Sequence, residues 1–281
     1  MTISSTSAAE SPKPLGFMER NYFLLRRLHS LSGIIPIGVF LVVHLITNSS
    51  LLWGKFALRG KQEERSLLEG GVYYFQKEVA WINNEVPHLL LIELSLWIGI
   101  AFHSILGVYY AMSGKSNSAR YAYQGNQRYT WQRISGYVGI FFIFYHVATL
   151  RWGWSFLVPG GTKWDHNFAA STLATALRGG ETFTLAGIAV SLFYFVGITL
   201  LVFHFANGLW TAAITWGLTI SAQSQKRFGY ACAGLGGGLM LAAWASLAGA
   251  LLLSPEQMRE VERLQIKPPA ATGTSPSVPA E

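Results

Sequence analysis

The stretch LLVFHFANGLW, Leu200 to Trp210, decides how this chain reads. It is apolar enough to lie inside a bilayer, yet it carries His204. An imidazole in hydrocarbon is unfavourable unless a partner compensates, so the residue asks what it binds.

The apolar run around His204 extends over about 185–218, and stretches near 31–53, 88–113, 132–152 and 228–253 also reach the roughly 20 residues that span as a helix. Of the 281 residues, 51% are hydrophobic and 12% charged, and the mean hydropathy is +0.32. Soluble domains carry about 25% charged residues. The expectation is an all-α integral membrane protein of five transmembrane helices, with no nucleic-acid partner. The first span lies too far from Met1 to be a signal segment, and the polar ESPKP and ERNYFLLRRLHS precede it.

The single cysteine, Cys232, falls inside the fifth span. That excludes a disulfide, a cysteine-ligated iron–sulfur cluster and a C-x-x-C-H haem attachment within this chain. No phosphate-binding G-x-x-x-x-G-K-[ST] loop is present, and AGLGGGLM (Ala233 to Met240) follows no strand. Gly234 and Gly238 read instead as a small-residue pair for close helix packing.

Residues 1–14 and 254–281 read as polar, disordered tails flanking a membrane unit over 15–253, the Pro- and Ser-rich part beginning near 265. Five spans put the termini on opposite sides. The short connection 114–130 carries Lys115, Arg120 and Arg128 with no acid, and 221–227 carries Lys226 and Arg227. The positive-inside rule then places the N-terminus in the cytoplasm, with Trp53, Trp152 and Trp154 at the outer interface.

The spans also resemble one another. In RRLHSLSGIIPIGVFLVVHLITN and WQRISGYVGIFFIFYHVATLRW a basic residue precedes Ser-Gly, and a histidine follows the glycine by 11 or 10 residues (Gly33 to His44, Gly136 to His146). FHSILG and FHFANG share F-H-x-x-x-G, with His103 before Gly107 and His204 before Gly208. The offsets, 102 between His44 and His146 and 101 between His103 and His204, agree to one residue. A duplicated two-helix unit inserts both copies the same way, so a pseudo-twofold axis along the membrane normal relates them. Equivalent histidines then face each other at equal depth.

One intramembrane histidine is more often a core residue bonded to a neighbouring helix than a ligand. Four, in two matched pairs, are best explained by two bis-histidine centres, His44 with His146 on the outer side and His103 with His204 on the inner. A helix bundle can hold a porphyrin between imidazoles from opposite helices, whereas zinc wants four ligands converging on one point. Gly99, Gly107, Gly136, Gly139, Gly197 and Gly208 read as room for a macrocycle or as ordinary helix packing. His29 and Ser30, beside Arg26 and Arg27, are candidates for haem propionate contacts, against the plainer reading of headgroup anchoring. Glu93, an acid inside a span, is a quinone-site or proton-relay candidate, or else a neutral group bonded to a neighbour. His88 and His166 read as structural. A dihaem b subunit of a hydrogenase or formate dehydrogenase, or a transporter whose histidines relay protons, are the rival readings.

RRLHSLSGIIPIGVFLVVHL, FHSILGVYYAMSGK, WQRISGYVGIFFIFYHV and FHFANGLWTAAITWG together resemble the cytochrome b membrane anchor of bacterial succinate dehydrogenases and fumarate reductases (complex II), of the single-anchor dihaem type. The resemblance covers about residues 20–253. It implies a place in the cytoplasmic membrane beneath a flavoprotein and an iron–sulfur subunit, with electrons passing through two b haems to menaquinone or ubiquinone. Its ligand positions fall on His44 and His146 for the distal haem and His103 and His204 for the proximal one, and the basic face with Arg26, Arg27, Lys115, Arg120, Arg128 and Lys226 would be the docking side. Some fumarate-reducing relatives carry glutamate two residues before the last haem histidine. Val202 stands there, which favours succinate oxidation. No dicarboxylate site is expected in this chain.

Overall fold

The computed structural model describes residues 16–113 and 124–266. The expected tail at 1–14, the stretch 267–281 and the basic residues Lys115 and Arg120 lie outside them. Every regular element among the described residues is helical.

Five segments are long and apolar enough to cross a membrane: Tyr22–Ala57, Leu89–Ser113, Gln127–Leu150, Leu185–Thr215 and Ala222–Leu252. The chain is thus a multi-pass membrane protein. A short α1 (Phe17–Arg20) leads into the first segment, itself two helices, α2 (Tyr22–Ile34) and α3 (Ile37–Trp53). The break falls at Pro36, which lacks the amide for a helical bond and forces its predecessor into extended backbone. Ile35 has φ −130° and ψ 118° accordingly. The other spans are α5 (Leu89–Ser113), α6 (Gln124–Leu150), α8 (Leu185–Thr215) and α9 (Ala222–Leu252). Outward residues such as Leu90, Ile98 and Ile105 on α5 are exposed, as on a helix that faces lipid. Spans begin up to nine residues before the sequence expectation, because polar first turns such as Tyr22–Ser30 are helical too.

Three further helices gather at the end away from α1. They are α4 (Leu67–Glu85), α7 (Ala169–Arg178) and α10 (Pro255–Ile266). The last corrects the expectation of a disordered tail from 254. α10 is polar on average, but Met258 and Val261 recur at helical spacing and are buried against the α4 and α7 side chains Val72, Phe75, Ala170 and Ala174. Glu262, 0% exposed, accepts from the amides of Ala170 (2.7 Å) and Ser171 (3.2 Å) and from the Ser171 hydroxyl. It fills the amino end of α7, whose first amides have no helical partner. Gln76 of α4 joins the same end, donating to His166 O (2.8 Å) and accepting from Ala169 N (3.1 Å). Arg178 at the far end of α7 donates to Leu251 O and Leu253 O, both at 2.7 Å, and closes the end of α9. α7 is thereby tied to α4, α9 and α10, and with α4 and α10 it forms a cap on this end of the bundle.

Leu51 lies where α3, α4 and α9 meet. A Cβ on Gly71 would sit 2.0 Å from Leu51 O, and one on Gly249 would sit 2.6 Å from Leu51 Cβ. The glycines expected to pack helices, Gly234 and Gly238, have nothing within 4 Å of a built Cβ. Gly236 takes that role instead, against Ala206 of α8. The FHFANGLW helix faces α9 on one side and α6 on the other, so glycines of neighbouring register point in different directions.

Candidate functional site

His44, His103 and His204 sit well inside their helices and His146 lies in the last turns of α6, and the fold brings the four together in two pairs. The ring centres of His103 (α5) and His204 (α8) are 6.1 Å apart with planes at 82°. Those of His44 (α3) and His146 (α6) are 5.8 Å apart at 87°. Two metal–nitrogen bonds of about 2.0 Å, plus about 1 Å from each nitrogen to its ring centre, require roughly 6 Å for a metal held between opposed imidazoles. Both pairs meet that length. No group of three or more His, Cys, Asp or Glu converges among the described residues. The arrangement therefore suits a metal whose remaining ligands come from a macrocycle rather than from protein.

The duplication reappears in the contacts of the first pair. His103 Nδ1 lies 2.9 Å from His29 O and 3.5 Å from Ser32 Oγ. His204 Nδ1 lies 3.1 Å from Gln132 O and 3.1 Å from Ser135 Oγ. A carbonyl only accepts, so Nδ1 carries the proton in each ring and the Nε2 lone pair is left to bind a metal. His29 and Gln132, Ser32 and Ser135, and Gly33 and Gly136 are each 103 residues apart. The glycines match as well. A Cβ on Gly33 would sit 2.5 Å from the His103 ring, and one on Gly136 3.1 Å from that of His204. A Cβ on Gly107 would meet His29 Nε2 at 3.2 Å, and one on Gly208 would meet Gln132 Nε2 at 3.4 Å. Gly208 thus gives its space to a side chain of α6. Gly99, Gly139 and Gly197 likewise face Pro36, Leu201 and Phe142.

The second pair is held less tightly. His44 Nδ1 is 3.4 Å from the Asn48 amide nitrogen, which is committed to His44 O at 2.7 Å. His146 Nδ1 is buried with no hydrogen-bond partner among the described residues. Aromatic rings do the positioning instead, with Phe40 stacked on His44 at 5.2 Å and Phe142 on His146 at 5.9 Å.

His29 stacks on His103 with ring centres 4.1 Å apart and planes at 13°. Its Nε2 is buried without a partner, as is the hydroxyl of the neighbouring Tyr110. Ser30 accepts from Trp216 Nε1 at 2.9 Å. Glu93 forms a two-pronged ion pair with Arg151, at 2.9 and 2.8 Å, on the opposite side of the bundle from His29. His166 lies in the turn before α7, and His88 has a positive φ of 57° immediately before α5. Val202 is 1% exposed and packs with Leu45, Leu239 and Ala243.

Sequence reasoning missed three groups. Gln132 and Ser135 were visible only as the WQRISG half of a repeat, because a carbonyl acceptor leaves no side-chain signature and a serine in a span does not show which helix it faces. Asn207, 4% exposed, donates to Gln132 Oε1 at 2.7 Å and accepts from Arg128 Nε at 3.0 Å. Glu78 of α4 accepts from Ser50 Oγ at 2.8 Å, six residues beyond His44, and burial raises its pKa above the ordinary carboxylate value. One of five glutamates in a polar connection gave no reason to look there.

No protein-family model and no solved structure matches this chain. The succinate dehydrogenase cytochrome b558 subunit of Bacillus subtilis (strain 168) is 31% identical to it over 205 residues, covering 73% of this chain and 85% of that protein. With five apolar spans and two facing histidine pairs beside that similarity, the chain belongs to the cytochrome b membrane-anchor subunits of succinate dehydrogenase, the complex II family.

Proposed function

We propose that this chain carries electrons across the bacterial cytoplasmic membrane, from an iron–sulfur partner to a quinone, by holding one b-type haem between His103 and His204 and another between His44 and His146. The observation that carries the reading is the ring separation of 6.1 and 5.8 Å in two pairs on four helices. Each haem would supply a reversible one-electron couple. The histidines give the two axial nitrogens, and the His29 and Gln132 carbonyls hold the inner pair in the tautomer that exposes Nε2. His29 and Ser30 remain the candidates for propionate contacts on that side.

The flavoprotein and iron–sulfur subunits would dock on the face that bears Arg26, Arg27 and Arg128, which the positive-inside rule makes cytoplasmic. The C-terminal cap then lies on the outer side, over the second pair, where the quinone would be reduced. Glu93 is a weaker proton donor there than its position suggested, since Arg151 holds it as an ion pair. Glu78, with a raised pKa beside Ser50, is better suited to hand over protons.

A reduced-minus-oxidised spectrum of the purified chain tests the reading. Two b-type haems per chain are expected, and a b-type signal well below that stoichiometry would sink it. Recovery from membranes with a hydrogenase or formate dehydrogenase, rather than with flavin and iron–sulfur subunits, would favour the rival redox assignment.

A further inference from the structure

Arg128 is built into the inner pair more deeply than a docking residue needs to be. It lies on α6 four residues before Gln132, about 6 Å along the helix, on the side toward the N-terminal face. Its guanidinium carbon sits 4.0 Å from the centre of the Trp210 ring, and its Nε donates to Asn207 Oδ1 at 3.0 Å. Asn207 and Trp210 follow His204 by three and six residues on α8. Asn207 donates in turn to Gln132 Oε1 at 2.7 Å, and Gln132 Nε2 donates to His204 O at 3.1 Å. A half-buried cation is thus locked, by a ring and a buried amide, within about two turns of a proposed axial ligand.

Holding an arginine so firmly costs side-chain entropy and partial desolvation, which an anion alongside would offset. The duplication sharpens the point. The position 103 residues before Arg128 is Leu25 and the one before Gln132 is His29; the neighbouring Arg26 lies over the Tyr22 and Tyr110 rings and donates to the Tyr22 hydroxyl, so only the second half of the repeat locks its cation to a buried amide. A b-type porphyrin carries two propionate carboxylates, and a carboxylate near the hydrocarbon region needs a counter-charge.

Resting on the dihaem reading above, we infer that Arg128 is the anchor for a propionate of the inner haem, held in place by Asn207 and Trp210. His29 and Ser30 approach from the other half of the repeat, so the two carboxylates are gripped by different residues. Arg128 is a positioning residue in this role. It also raises the inner midpoint potential, because a fixed positive charge favours the site that has gained an electron.

The test compares Arg128→Gln with the parent in the assembled complex, by redox titration of both haems and by the propionate bending band in resonance Raman spectra. The inner midpoint should fall and its propionate band move, with the outer haem unchanged. An inner midpoint and band identical to those of the parent, or a change confined to the outer haem, overturns the assignment. Should Arg128→Gln fail to assemble, Arg128→Lys decides on the band alone: a shift supports the anchor, because lysine lacks the planar fork, and an unmoved band overturns it. A parent without two b haems would refute the dihaem reading itself, which is a distinct result.

Discussion

At the scale of single residues, the four histidines are distinguished by what holds their Nδ1 atoms. Replacement of either His103 or His204 by Ala should remove the same haem and spare most of the other, and the same holds for His44 and His146. Loss of different haems by two members of a pair, seen in difference spectra, would contradict the pairing. The glycines beside the inner pair give a graded test. A methyl on Gly33 would lie 2.5 Å from the His103 ring, and one on Gly136 3.1 Å from that of His204. Gly33→Ala should therefore deplete the inner haem strongly and Gly136→Ala mildly, and equal losses would be the wrong result. Ring planes at 82° and 87° also predict strongly anisotropic low-spin ferric EPR signals, which near-parallel rings would not give.

At the scale of elements, the cap depends on one dry carboxyl and one tight crossing. Burial is the largest influence on Glu262 and raises its pKa, against the lowering effect of its bonds to Ser171 and Ala170 and of Arg259. A carboxyl whose folded pKa is raised stabilises the fold below its unfolded pKa of about 4.3, and that contribution is lost as pH rises through the folded value. Hydrogen exchange at α7 and α10 amides should thus show the cap loosening as pH rises above the ordinary carboxylate range. The trend should vanish in Glu262→Gln, and its persistence there would assign it to another group. At the crossing, Gly71→Ala puts a methyl 2.0 Å from the Leu51 carbonyl oxygen, and overpacking of this kind costs about 1–3 kcal/mol or more. A clear drop in thermal stability is expected, and an unchanged melting temperature would show that α4 can slide away.

For the whole molecule, the topology proposed from five spans sets the two ends of the chain on opposite sides of the membrane. A cysteine placed at the exposed Glu260 of α10 should react with an impermeant thiol reagent in intact cells, and one at Arg227 should react only after lysis. The reverse pattern would invert the topology, and with it the proposed docking face.

The membrane class, the five spans, the duplicated unit and the pairing of its four histidines were legible in the residues alone. Long apolar runs and a repeat of about 102 residues are periodic signals that do not depend on how the helices pack. Which groups hold the imidazoles, which glycines bring helices together and what the connections do became clear from how the helices dock. Gln132 acts through its backbone oxygen, and Glu262 reads as a solvated acid until α7 is docked on it. Such roles come from contacts between residues 72 to 92 positions apart, where the direction of a side chain depends on how two helices meet and not on the residues next to it.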